Sequence, residues 1–262
     1  PTLGGLMFDG AKIVQIETDA DQPIRASSFE LGFIGDAKEV VEALTAEWRR
    51  RGLGEREVSG SHPKRGDIQQ SVLDIELDHD PKRGLDPRDV FVELDRKLTP
   101  NRIVVTDNGR MMGNALPTLV GARDAESWVT GTSFGCVGQG LGLAIGAATA
   151  HPDRPTVLFA GDGGFMMSLQ SIDVARTADL DLTIVLINDE MLGSEAKYLK
   201  PLGLPLDIIS ASLPDVPSLA RLFGGEGVVI ELPEELTALE FPKGLFMIDV
   251  RVDHNVDVRG AW

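Results

Sequence analysis

A chain of 262 residues with 42% hydrophobic residues can bury a real core, in one large domain or about two small ones. A formal net charge of −16, from 25 Lys and Arg against 41 Asp and Glu, argues against a nucleic-acid partner. One cysteine, Cys136, excludes an intrachain disulfide. No apolar run nears the ~18 residues of a membrane span, and the opening PTLGGLMFDG lacks the basic and apolar regions of a signal peptide. A cytoplasmic protein is therefore expected.

Residues 1–51 predict a strand, KIVQIETD (Lys12–Asp19), a short apolar piece near Leu31–Ile34, and a helix, DAKEVVEALTAEWRRR. Asp36 is placed to cap that helix, with Glu39 at the capping-box position. Val40, Val41, Leu44 and Trp48 form its apolar face. Residues 52–85 are polar, with Gly, Pro, His, Lys and Asp scattered through them, and read as a partly mobile interdomain linker.

From Asp86 onward, helix and strand alternate. A helix starts at Pro87 after Asp86 and runs to Leu98. The strand RIVVTD (Arg102–Asp107) follows, then a small-residue helix over Gly138–Ala150, the strand TVLFA (Thr156–Ala160), a helix, and the strand LTIVLI (Leu182–Ile187). An irregular stretch reaches about Asp215. A helix (Val216–Phe223), a strand (Val228–Ile230), a short helix near Glu234–Leu239 and the strand LFMIDVRV (Leu245–Val252) close the chain. Continuous apolar strands alternating with helices predict an α/β fold with a doubly wound parallel sheet over residues 86–262.

The stretch GDGGFMMSLQSIDVARTADLDLTIVLINDEMLG, beginning at Gly161, carries the most chemistry. Asp162 ends one apolar strand and Asp189 ends the next. Parallel strands joined by a helix set these ends side by side, where ligands of open α/β sheets bind. Two hard oxygen donors there suit Mg²⁺ or Ca²⁺, and Gly163 and Gly164 let backbone N–H groups approach a phosphate.

This pattern resembles the thiamine diphosphate signature, GDG followed about 26 residues later by Asn, often doubled. The resemblance implies the thiamine diphosphate-binding fold, with Mg²⁺ (or Ca²⁺) held by Asp162, Asp189 and the backbone carbonyl of Met191. Gly161, Leu192 and Gly193 flank these positions as cofactor-binding residues. Asp189 stands where the family's second Asn is usual, which adds a negative charge. Asn108, Gly109 and Arg110 align with the loop that wraps the diphosphate, although a polar turn closing a strand would look the same. In GTSFGCVGQGLGLAIGA, the Gly135 carbonyl would accept from the cofactor's amino group and Val137 would prop its bent form, with Cys136 between them as a small buried residue. Glu195 falls where pyruvate-decarboxylase-like relatives carry a catalytic Glu that handles protons; a solvated helix residue is the other reading.

Residues 1–51 resemble the closing part of the central domain of enzymes of the acetohydroxyacid synthase, pyruvate decarboxylase and benzoylformate decarboxylase type, where a strand is followed by GDA and a helix. Residues 86–262 resemble their pyrophosphate-binding domain. Nothing resembles their first, pyrimidine-binding domain, so the chain is expected to be a fragment or one subunit of a split enzyme, completed by a partner polypeptide that supplies that domain, in dimers or tetramers of such pairs. The resemblance implies a lyase or transferase that cleaves or forms C–C bonds next to a carbonyl, acting on a 2-oxo acid or acyloin. A non-catalytic or regulatory cofactor-binding subunit of the same fold is the alternative. Met111 and Met112 could line a substrate channel or fill the core. His62, His79, His151 and His254 are isolated and lack metal-ligand spacing.

Overall fold

The computed structural model describes residues 12–19, 31–54, 65–110, 118–119, 121–122 and 124–256. The chain divides into two compact units between His62 and Pro63. Met111 and Met112 lie outside the described residues.

In the first unit, β1 (Val14–Glu17) and β2 (Leu31–Ile34) pair in parallel, Val14 opposite Leu31. The helix α1 (Ala37–Arg50) follows. Asp36 caps it through Oδ1, which accepts from the N–H groups of Lys38 at 2.9 Å and Glu39 at 3.2 Å. Arg49 and Arg50 sit in the last turn, where cations suit the helix dipole. Its apolar side chains Val41, Leu44 and Trp48 are exposed among the described residues.

The second unit opens on α2 (Arg65–Leu73), inside the stretch expected to be linker. Its sequence, RGDIQQSVL, has no apolar stripe, so it gave no helical period. Polar bonds hold it instead. Gln69 Nε2 donates to the Thr118 carbonyl at 2.7 Å. Arg88 Nη1 donates to the carbonyls of Val72 at 3.2 Å and Ile75 at 2.5 Å, a cation at the helix C-terminus. Val72 is fully buried. Residues 65–85 thus pack within the second unit.

The helix α3 (Pro87–Lys97) starts as expected, Asp86 accepting from the Arg88 N–H at 2.8 Å with Pro87 in the first turn. Six strands then form one parallel sheet: β3 (Ile103–Thr106), β4 (Trp128–Thr130), β5 (Thr156–Gly161), β6 (Leu182–Asn188), β7 (Glu226–Ile230) and β8 (Leu245–Arg251). Their order is β4-β3-β5-β6-β8-β7. The three-residue β4 gave no strand signal in the sequence, being too short for a period.

The helices between them are α4 (Gly140–Ala150), α5 (Asp162–Ser168), α6 (Ile172–Thr177), α7 (Gly193–Leu199), α8 (Val216–Leu222) and α9 (Pro233–Ala238). The helix α7 falls in the stretch expected to be irregular; it is only 7 residues long. Alternate strand residues face opposite ways. On one face Val104, Phe159, Val185 and Ile248 pack with Val90, Phe91 and Leu94 of α3. On the other, Val105, Leu158, Ile184 and Met247 pack with Leu141 and Ala144 of α4 and Val216 of α8. Helices therefore cover both faces, the expected doubly wound arrangement. After β3 the chain moves outward to β4, and after β5 it moves the other way to β6. The strand order reverses between β3 and β5, so the crevice at their carboxyl ends is the ligand position of this fold. No described helix is long and apolar enough to cross a membrane.

Candidate functional site

Three loops leave neighbouring strand ends and converge there: 107–110 after β3, 161–164 after β5 and 188–193 after β6. A fourth, 131–139, precedes α4. Together they line a cleft at these strand ends, where ligands of such sheets bind.

Asp107 ties two of these loops together. Its buried carboxylate accepts from the N–H groups of Asn108 (2.8 Å), Gly138 (2.9 Å) and Gly140 (3.1 Å). Burial raises its pKa, and those amides work against the rise. Gly138 reaches it with φ +90°, which favours glycine. Asn108 Nδ2 donates to the Cys136 carbonyl at 2.8 Å, so the side chain expected to face phosphate also holds the glycine-rich loop. The sequence places Asp107 at the strand end beside Asn108, Gly109 and Arg110 but gives no sign that its carboxylate gathers the amides of a distant loop.

Asp162 is 2% exposed at the start of α5. Its Oδ1 accepts from the Gly163 N–H at 2.7 Å, so this amide, expected to meet a phosphate, is turned onto the carboxylate. Its Oδ2 is buried with no hydrogen-bond partner among the described residues. Burial first, and the charge of Asp189 second, push the Asp162 carboxyl up to about 7, outweighing the backbone hydrogen bonds that lower it.

Asp189 lines the same cleft. Its Oδ1 accepts from the Met191 N–H at 3.2 Å, and its Oδ2 from Nη2 of Arg110. Burial raises its pKa and Arg110 opposes that. Asn188 is directed elsewhere: Nδ2 donates to Asp249 Oδ1 at 2.8 Å within the sheet. The Met191 carbonyl accepts from Gly193 N–H at 2.9 Å and retains a second lone pair.

Glycines allow the segments to approach this closely. A Cβ at Gly164 would overlap the Asp107 carboxylate, and one at Gly193 would overlap the Arg110 guanidinium. Asp162, Asp189 and the Met191 carbonyl form a hard oxygen set that could take a divalent cation. No group of three or more His, Cys, Asp or Glu side chains that could hold a metal comes together among the described residues. The orphaned Oδ2 of Asp162 fits a cation whose remaining oxygens come from elsewhere, as from a phosphate.

Of the residues singled out in the sequence, the structure brings Asn108, Gly109, Arg110, Val137, Gly161, Asp162, Gly163, Gly164, Asp189, Met191, Leu192, Gly193 and Glu195 to this cleft. Met167 and Ser194 join the lining without having been anticipated. Gly135 and Cys136 do not line it. Cys136, expected to be buried, is exposed along with the rest of 132–136; its carbonyl, not its thiol, is what Asn108 holds. Glu195 is on the rim with its side chain exposed, so nothing described here gives it the apolar surround expected of a catalytic carboxyl.

Residues 112–240 match the family model described as "Thiamine pyrophosphate enzyme, C-terminal TPP binding domain". A sulfoacetaldehyde acetyltransferase of Alcaligenes xylosoxydans xylosoxydans is 27% identical, over 86% of this chain and 41% of that protein. An acetolactate synthase of Arthrospira platensis is 25% identical, over 97% and 44%. The solved thiamine diphosphate-dependent 4-hydroxybenzoylformate decarboxylase of Rhodococcus jostii RHA1 shares the fold, with a TM-score of 0.74 over 93% of this chain and 44% of that one at 20% identity. The chain spans less than half the length of these relatives. Sequence match, sheet order and the cleft at the β3/β5 switch point agree in making this chain similar to the thiamine pyrophosphate enzymes, with the C-terminal TPP binding domain matched over residues 112–240.

Proposed function

We propose that this chain is the part of a thiamine-diphosphate-dependent enzyme that holds the diphosphate and its cation. The enzyme would be a 2-oxo acid decarboxylase or carboligase, acetolactate-synthase-like, that cleaves or forms C–C bonds next to a carbonyl. The observation that carries the reading is the buried, unpartnered Oδ2 of Asp162, a residue that lines the cleft together with Asp189. A carboxylate in that position needs a cation, since burial without one is costly.

Asp162, Asp189 and the Met191 carbonyl would hold Mg²⁺ (or Ca²⁺). Asn108, Gly109, Arg110 and Gly164 would face the diphosphate. The Gly135 carbonyl and Val137 would orient the ring system, and Glu195 at the rim would move a proton at the substrate. When bound, thiamine diphosphate supplies a nucleophilic carbon and an electron sink.

A partner polypeptide with the pyrimidine-binding domain would complete the site. Support comes from exposed apolar side chains in the segments around the cleft: Phe134 is 84% exposed, Met167 55%, Tyr198 66% and Ile208 66%. Calorimetry of the chain with Mg²⁺ and thiamine diphosphate tests the reading; absence of binding, with and without the partner, overturns it.

A further inference from the structure

Asp189 puts a second carboxylate beside Asp162, and the fold answers with Arg110. The two residues lie 79 positions apart, on loops after β3 and β6. Arg110 Nη2 donates to Asp189 Oδ2, and Nη1 donates to the His254 carbonyl at 2.6 Å. The Arg110 and Asp189 side chains are 7% and 12% exposed. Gly193 leaves the space the guanidinium fills. Two carboxylates and one guanidinium leave a single net negative charge, as an Asp with a neutral amide at position 189 would.

We infer that Arg110 is a built-in counter-ion for Asp189, and that the two act as one unit in setting how strongly the site attracts a cation. The inference rests on the thiamine diphosphate reading of the cleft. A carboxylate has about four lone-pair sites, so Asp189 can keep the guanidinium and still offer an oxygen to a metal. Breaking such a buried pair from one side leaves an uncompensated charge; removing both members does not.

The signs of the single changes therefore oppose each other. With Mn²⁺ alone as the probe, R110Q leaves two carboxylates uncompensated and tightens binding. D189N leaves the guanidinium facing Asp162 and weakens it. The double change R110Q/D189N returns to within a few-fold of the parent. Each single shift is expected to be roughly tenfold or more, the size of coupling between neighbouring charges.

The test is Mn²⁺ titration of the full chain, wild type and three variants, read by the resonance signal of free Mn²⁺. Calorimetry with Mg²⁺ and thiamine diphosphate runs in parallel. Opposite shifts in the singles, cancelling in the double, support the inference. Weaker Mn²⁺ binding in R110Q, or a double that stays roughly tenfold or more away from the parent, overturns it. If R110Q fails to fold by circular dichroism, the double should fold and bind Mn²⁺; a double that folds and does not bind overturns the inference too. A wild type that binds Mn²⁺ with this charge pattern but takes no thiamine diphosphate would sink the cofactor reading alone.

Discussion

Asn108 Nδ2 and Gln139 Nε2 meet on one acceptor, the Cys136 carbonyl, at 2.8 and 3.0 Å. With the Asp107 carboxylate taking the Gly138 and Gly140 amides, the loop after β3 and the loop before α4 are bound into one piece. The glycine-rich loop, mostly exposed, is held by Asn108, Gln139 and Asp107 rather than by apolar packing.

Asp107→Ala should therefore be expensive for a single loop substitution. It strands more than one amide without its acceptor, and each such group costs about 1–3 kcal/mol. A loss of about 2–4 kcal/mol in denaturant unfolding is expected. Weaker thiamine diphosphate binding should accompany it, because the 135–137 loop loses its anchor. A variant that unfolds at the wild-type midpoint would show that the clasp contributes nothing.

Asp162→Asn should separate stability from ligand binding. Without a cation, the wild type buries a carboxylate that burial and Asp189 both disfavour. The neutral amide relieves this, so the metal-free variant should be more stable by about 1–3 kcal/mol. Added Mg²⁺ and thiamine diphosphate should stabilise the wild type, by about 2.7 kcal/mol at a hundred times Kd, and leave the variant unchanged. Melting curves with and without ligands decide it. An equal ligand-induced rise in both proteins would remove Asp162 from the metal site.

The framework of the second unit was legible because its strands are buried on both faces. Val157, Leu158, Phe159 and Ala160 of β5 are all nearly inaccessible, which makes the sequence a continuous apolar run ending at Gly161. Two such runs bracketing GDGG placed Asp162 and Asp189 correctly at the strand ends. What escaped depends on polar contacts between distant residues. The helix α2 is held by Gln69 and Arg88, and no apolar period announces it. The Arg110–Asp189 pair joins two loops that only the fold brings together. From sequence alone, Asp189→Asn looks like a mild return to the commoner ligand; the ion pair makes it a change that strands Arg110.

Acid sensitivity should trace to Asp253. Burial raises its carboxyl pKa, but the Arg83 guanidinium and the Asp80 and Asn255 amides outweigh burial, and the net shift is below 3.8. A depressed carboxylate stabilises the fold above its unfolded pKa, and that contribution is lost as pH falls through the folded value. The wild type should lose this stability from about pH 5 downward. Asp253→Asn should be less stable at neutral pH and flatter in acid, since Arg83 then keeps only Asp78, in its own segment, as a carboxylate partner and loses its tie to the residues after β8. Parallel acid dependence of the two melting temperatures would count against the assignment.

Glu195 decides how far the catalytic reading extends. It sits in the first turn of α7, on the rim of the cleft, beyond Asp189 and Met191. Its side chain is exposed and none of its atoms bonds to the oxygen set below. Glu195→Gln should therefore leave affinity for Mg²⁺ and thiamine diphosphate nearly unchanged by calorimetry. If a partner domain closes over the rim, the carboxyl would face the substrate and could pass a proton to or from it. Turnover of a 2-oxo acid by the assembled enzyme should then fall by about 10²–10⁴-fold, with one limb of the pH–rate profile removed. Unchanged turnover and an unchanged profile would make Glu195 a solvated helix residue, and the proton would have to be handled by a group from the partner.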